Sequence, residues 1–290
     1  MNMMHNPALN RTLIKNIVSR ALQEDLGTGD ITTLATVPPR VTATAVILAK
    51  QPGVICGLDV AREVFAQVDS GLRFEALVSD GASVTAGQEV ARVSGSAAAI
   101  LTGERVALNF LQRLSGISTM TARFVAAVAG TRTRIVDTRK TTPGLRVLEK
   151  YAVRAGGGFN HRFGLYDAIL IKDNHIALAG GVAAAVGAAR KAAGHAMKVE
   201  VEVQDLKQLD EALSAGAEVI LLDNMNPAML REAVATVAGR ATLEASGGIT
   251  AENLAEVART GVDLISVGAL THSVKALDLS LEITAVESSA

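Results

Sequence analysis

The chain has 290 residues, 49% hydrophobic and 20% charged, with a formal net charge of -1 at pH 7. That size and apolar content predict a large core shared by two domains. A single cysteine excludes an internal disulfide or Cys-rich zinc site, and 3% aromatics with no Trp and a slightly acidic balance argue against a nucleic-acid partner.

Along the chain, MNMMHNPALNRTL shows no basic segment followed by an apolar one, and no apolar run reaches the roughly 18 residues of a membrane span. We therefore expect a cytoplasmic protein with no membrane partner. Residues 9–26 place Leu9, Leu13, Ile14, Ile17, Val18, Ala21 and Leu22 at helical spacing. TATAVILAK, LRFEALVSDG and QEVARVSG then read as strands joined by Gly-containing turns, which predicts a separate α+β domain. Cys56, in the apolar run GVICGL, reads as a buried thiol. Residues 97–129 read as two helices broken near Gly116.

From residue 133 six short strand-like runs follow, TRIVDTRK, AILIKDN, KVEVEV, VILLDN, TLEASGG and LISVGA, separated by helical stretches. Asp205 with Gln208, Asn226 with Pro227, and Thr250 with Glu252 mark helix starts, while Gly216, Gly239 and Gly261 mark ends. Strand–helix alternation implies parallel strands with right-handed crossovers. A polar residue closes almost every run, which points to a barrel with its functional face at the strand C-termini. A full eight-unit barrel takes about 250 residues, so six signals predict a reduced or open α/β barrel. An open doubly wound sheet is the alternative.

Residues 132–173 carry nine Arg or Lys against four Asp or Glu, a local +5 that leaves -6 for the remainder. This suggests a small anionic ligand. Alternation in KVEVEV puts Val199, Val201 and Val203 on one face and Glu200 and Glu202 on the other. Helices must cover the apolar face, so the glutamates point inward, as do Lys172 and Glu244. Glu200 and Glu244 could serve only as buried ion-pair partners. Glu202 and Asp223 close their strands, and two carboxylates without a Cys or His cluster suit Mg²⁺ better than zinc. Ser246-Gly247-Gly248 and Ser266-Val267-Gly268 could admit a phosphate to their backbone N–H groups or be plain tight turns. A strand-end lysine such as Lys172 is also where a Schiff-base aldolase keeps its nucleophile. Arg146 could touch ligand. Lys150 and Arg154 read as a solvated helix face, His175 as a core or supporting histidine, and the aromatics Tyr151, Phe159, Phe163 and Tyr166 as core.

The block DTRKTTPGLRVLEKYAVRAGGGFNHRFGLYDAILIKDNHI closely resembles the signature region of the quinolinate phosphoribosyltransferase family. EDLGTGDITT, ERVALNFLQRLSGIST, VEVEV, LLDNM, EASGGI and ISVGALTHS extend the likeness, in order, over nearly the whole chain. The resemblance implies an N-terminal α/β sandwich over residues 1–115 and a type II phosphoribosyltransferase-like open α/β barrel over 116–270. Residues 271–290 would return to the first domain as a helix. It implies transfer of phosphoribose from 5-phosphoribosyl 1-pyrophosphate to quinolinate with Mg²⁺, releasing pyrophosphate and CO₂ and giving nicotinate mononucleotide for NAD biosynthesis. Arg105, Thr138, Arg139, Lys140, His161, Arg162 and Lys172 match the base-binding pocket, with Arg105 reaching across the interface of a homodimer or larger assembly. Glu202 and Asp223 match the acidic pair that handles metal, pyrophosphate and ribose. Ser246, Gly247, Gly248, Ser266, Val267 and Gly268 match the 5-phosphate turns. Lys140 is the candidate for protonating C2 after CO₂ leaves, with bulk water as the alternative.

Overall fold

The computed structural model describes residues 9–288, so most of the N-terminal stretch MNMMHNPALNRTL lies outside the described residues. Numbered along the chain, the elements begin with helices α1 (Arg11–Leu26) and α2 (Ile31–Thr36), strands β1 (Val41–Ala49) and β2 (Gly53–Val54), and helix α3 (Leu58–Val68). Strands β3 (Arg73–Ala76), β4 (Ser83–Val84) and β5 (Glu89–Ser96) precede the long helix α4 (Ala97–Ala127). Next come β6 (Arg134–Val136), α5 (Arg146–Ala155), β7 (Ile169–Ile171), α6 (Asp173–Ala179), α7 (Val182–Ala192), β8 (Val199–Val203) and α8 (Leu206–Ser214). The chain ends with β9 (Val219–Asp223), α9 (Pro227–Val237), β10 (Thr242–Ser246), α10 (Leu254–Ala258), β11 (Leu264–Ser266), α11 (Ala269–His272) and β12 (Leu279–Ser288).

Two compact units result. One comprises the described part of Met1–Ala122 with Thr141–Gly157 and Ser273–Ala290; the other comprises Arg123–Lys140 with Gly158–His272. Residues 141–157, expected within the second domain, therefore group with the first unit.

In the first unit, β1 pairs with β12 on one side and β5 on the other, and β3 completes an antiparallel sheet. The C-terminal segment is thus a strand where a helix was expected. Its Leu279, Leu281 and Ile283 alternate with Ser280, Glu282 and Thr284, the period of a strand with one covered face. Ala45, Ile47, Val93, Phe65, Ile100 and Leu111 are fully buried, and each large apolar side chain so placed stabilises the fold by about 1.5–3 kcal/mol. Helix α4 is continuous through Gly116. A Cβ there would collide with the Lys275 carbonyl oxygen and meet Ala276 Cα at 3.1 Å, so this glycine permits a close approach and does not break the helix. Lys150 is wholly buried, not on a solvated face. Asp80 caps α3 from a distance, accepting the Gly57 and Leu58 N–H groups at 3.0 and 3.1 Å and the Tyr151 hydroxyl at 2.9 Å. Burial raises the Asp80 pKa despite those donors. Cys56 is buried, as its apolar context indicates.

The second unit is a six-stranded parallel sheet of order β6-β11-β10-β9-β8-β7. Neighbours follow sequence without the reversal that a doubly wound sheet requires, and β6 returns beside the last strand. That is an open α/β barrel, built from all six expected runs. Asp205 and Asn226 cap α8 and α9 through the N–H groups of Gln208 and Met229. The expected cap at Thr250 is not one. A turn occupies 251–253, Asn253 accepts the Thr250 N–H at 2.9 Å, and α10 starts at Leu254. Tyr166 is 79% exposed, so the expected aromatic core cluster does not include it.

Candidate active site

A cleft of about 620 Å³ opens at the C-terminal end of the barrel sheet, within the second unit. It forms there because polar residues stand at or just beyond the strand C-termini. Thr138, Arg139 and Lys140 follow β6; His161 and Arg162 come from the loop before β7; Lys172 follows β7. Glu202 lies on β8, Asp223 ends β9, and Ser246, Gly247, Gly248 and Ser266 complete the lining. Twelve of the fifteen expected site residues thus meet in one cleft. Arg105 lies in the first unit, exposed on α4. Gly268 backs the cleft, since a Cβ there would meet Lys140 Cδ at 3.1 Å and His272 Nε2 at 3.0 Å. Val267 is buried and its N–H donates to Val136 O at 3.0 Å, so it does not offer that group to a phosphate.

Several contacts fix the cleft before any ligand arrives. Lys172 Nζ lies 2.8 Å from Glu202 Oε2, and an ammonium tied to a carboxylate is a poor Schiff-base nucleophile. His175 is exposed and accepts the Lys172 N–H at 2.9 Å, which caps α6. The Thr271 hydroxyl donates to Lys140 O at 2.7 Å, holding the segment that carries Arg139 and Lys140. Gly247 and Gly248 have φ of +89° and +60°, in the left-handed region that favours glycine. Asn224 is a lining residue that sequence reasoning missed. Its φ is +54°, its amide donates to Asp223 at 2.9 Å, and its side chain fills the space a Cβ on Gly247 would need. The sequence signal was Asn after a strand-closing Asp, since Asn tolerates that conformation better than most side chains.

Charge is layered. Burial, then repulsion from Arg139, lowers the Arg162 pKa, so the cationic wall holds charges that disfavour one another. Beneath lie the buried carboxyls of Asp137, Glu200 and Glu244. Asp137 accepts the His161 N–H at 2.9 Å and the Asn160 amide at 2.6 Å. Burial, reinforced by the Glu200 charge, pushes Glu244 up to about 7. A separate hollow of about 440 Å³ sits where β9 to β11 begin, but its Arg132 and Arg240 are bonded to backbone carbonyls. It offers no converging reactive groups.

Residues 30–115 match Quinolinate phosphoribosyl transferase, N-terminal domain, and residues 117–282 match Quinolinate phosphoribosyl transferase, C-terminal domain. The chain is 47% identical over 276 residues to the probable carboxylating nicotinate-nucleotide pyrophosphorylase of Bacillus subtilis, covering 95% of each chain. It is 49% identical over 275 residues to the carboxylating nicotinate-nucleotide pyrophosphorylase of Mycobacterium leprae, covering 93% of this chain and 96% of that one. The solved nicotinate-nucleotide pyrophosphorylase of Francisella tularensis superposes with a TM-score of 0.93 at 42% identity, over 98% of this chain and 100% of that one. With both domain matches in order and relatives aligned almost end to end, the chain belongs to the quinolinate phosphoribosyltransferase family.

Proposed function

We propose that the chain transfers phosphoribose from 5-phosphoribosyl 1-pyrophosphate to quinolinate with decarboxylation, giving nicotinate mononucleotide, pyrophosphate and CO₂ for NAD biosynthesis. The observation that carries this reading is one cleft joining Arg139, Lys140, Arg162 and Lys172 to strand-end Glu202 and Asp223 and to the Gly247–Gly248 turn. Quinolinate has two adjacent carboxylates, which planar guanidiniums engage bidentately. A dianion also relieves the repulsion between Arg139 and Arg162. Thr138 and Lys140 complete that wall, and Ser246 with the glycine turn receives the 5-phosphate.

Glu202 and Asp223 offer oxygen donors without a thiol, a set that fits Mg²⁺. When bound, Mg²⁺ supplies charge neutralisation for the departing pyrophosphate. The side chains do the remaining work. As the bond from ribose C1′ to pyrophosphate breaks, the carboxylates of Glu202 and Asp223 stabilise positive charge on the sugar. The cationic wall holds the pyridine nitrogen for attack on the opposite face, forming the N–C1′ bond. The quaternary nitrogen then draws in the electron pair of the C2–carboxylate bond as CO₂ leaves. C2 takes up a proton, for which Lys140 is our assigned donor. We assign Arg105 to the site of a second copy in a homodimer or larger assembly; its exposure on α4 supports that role. We place the reaction in the cytoplasm, where a membrane-impermeant phosphorylated substrate is retained. Among the described residues no helix is long and apolar enough to cross a membrane.

The test mixes purified protein with quinolinate, phosphoribosyl pyrophosphate and Mg²⁺ and follows nicotinate mononucleotide and CO₂, with nicotinate as the parallel base. Product from quinolinate alone supports the assignment. Turnover of nicotinate with none of quinolinate overturns the base and keeps the transferase chemistry.

A further inference from the structure

At the floor of the cleft His161 Nε2 lies 3.1 Å from Glu200 Oε2 and 3.8 Å from Glu244 Oε1. Ligand-type atoms of these three side chains fall within 4.8 Å of one another. One imidazole and two carboxylates at that spacing invite a transition-metal reading, but the other side of the ring argues against it. The backbone N–H of Arg162 donates to His161 Nδ1 at 2.7 Å. Nδ1 therefore carries a lone pair, and the ring proton sits on Nε2. A metal on Nε2 would push that proton to Nδ1, face to face with the Arg162 N–H, whereas ligating histidines donate their second N–H to an acceptor. A doubly protonated imidazolium meets the same obstruction.

The ring is also held from its backbone. Fully buried Asp137 accepts both the His161 N–H and the Asn160 side-chain amide. Glu200 Oε1 and Glu244 Oε1 are buried without a hydrogen-bond partner. In this donor-poor pocket the Nε2–H serves Glu200 Oε2 at 3.1 Å, with Glu244 Oε1 next to it at 3.8 Å.

We infer that Glu200 and Glu244 are positioning residues that hold His161 as the neutral Nε2–H tautomer, an uncharged wall between the buried carboxyls and the ligand-facing cations. Ligand charge is then read by Arg139, Lys140, Arg162 and Lys172, and the ring proton of His161 points into the protein. For the proposed reaction this leaves the attacking pyridine nitrogen its lone pair. That consequence rests on the quinolinate reading, whereas the tautomer does not.

The test is nitrogen NMR of the full chain labelled with ¹⁵N-histidine, near neutral pH and without substrate. The His161 resonances are assigned by their loss in His161→Asn. One pyridine-type Nδ1 and one pyrrole-type Nε2 are expected, and Glu200→Gln or Glu244→Leu should shift both. Two pyrrole-type nitrogens, or the reversed tautomer, in the unmutated protein would overturn the inference whichever base the enzyme uses. In kinetics Glu244→Leu should raise the quinolinate KM about tenfold by loosening the ring, with the phosphoribosyl pyrophosphate KM within about twofold of the unmutated value. Equal damage to both constants would mark a merely structural role and also overturn it.

Discussion

Replacing Glu244 by Gln removes an ionisable group that the barrel holds almost without solvent contact, so its effect on stability must depend on pH. Unfolded, the carboxyl titrates near its ordinary 4.5; folded, burial and the Glu200 charge push it up to about 7. Between those values folding takes up a proton, and stability falls as pH rises through the window. Below pH 4.5 both states are protonated and the group carries no penalty. Above about 7 both are ionised, and the cost is complete. The values differ by about 2.5 pH units, and at about 1.4 kcal/mol each this gives about 3 kcal/mol, partly shared with Glu200 through their mutual repulsion. The chain has no tryptophan, so urea unfolding is best followed by far-ultraviolet circular dichroism, at pH 5 and pH 8. The unmutated protein should lose about 2–3 kcal/mol more than Glu244→Gln between those conditions. Titrating groups remote from Glu244 are common to both chains and cancel in the difference, whereas the neighbouring Glu200 is counted within the stated range. Parallel pH dependence in the two would refute the layered-charge account of the cleft floor.

Arg113 donates from Nε and Nη2 to Glu149, which is fully buried and also accepts the Thr142 N–H. Arg113→Met should therefore cost about 3–5 kcal/mol in urea unfolding, while Arg113→Met with Glu149→Leu should recover most of it. Gly116→Ala should lower the melting temperature, because the close approach of Lys275 O and Ala276 Cα outweighs a helix-propensity gain of about 1 kcal/mol. A stabilised variant would show that the approach is slack. Arg139→Lys keeps the charge but loses the planar fork, so kcat/KM for quinolinate should fall about tenfold or more, and further in Arg139→Ala. A Lys variant matching the unmutated enzyme would remove Arg139 from base recognition.

The barrel was legible because each strand carries its own punctuation, an apolar run closed by a polar residue, and because alternation fixes which face a glutamate takes. Val219–Asp223 shows the first and Lys198–Val203 the second. Residues misread from sequence depend on partners far along the chain. Gly116 resembles a helix breaker until the backbone at 275–276 arrives against it. Lys150 has the spacing of a solvated stripe, yet burial set by tertiary packing leaves it no exposed surface. The last strand belongs to a sheet whose partner, Val41–Ala49, lies some 240 residues earlier, so its period-two pattern competes with weak helix signals until the two meet. The cleft divides the same way. Strand ends and alternation bring Lys172, Glu202 and Asp223 to it and the glycine turns bring residues 246–248, whereas Thr138, Arg139, Lys140, His161 and Arg162 are named only through the family resemblance. Val267 fails because its N–H is bonded to Val136 O, and an i, i+2 pattern does not record which backbone groups a parallel neighbour has taken. The state of His161 is further still from the sequence, since it turns on whether a donor or an acceptor faces Nδ1, and that is set by how Asp137 folds residues 160–162 against β6. Sequence pattern therefore locates the charges of this site, whereas the proton positions that decide its chemistry come from backbone donors that no residue identity announces.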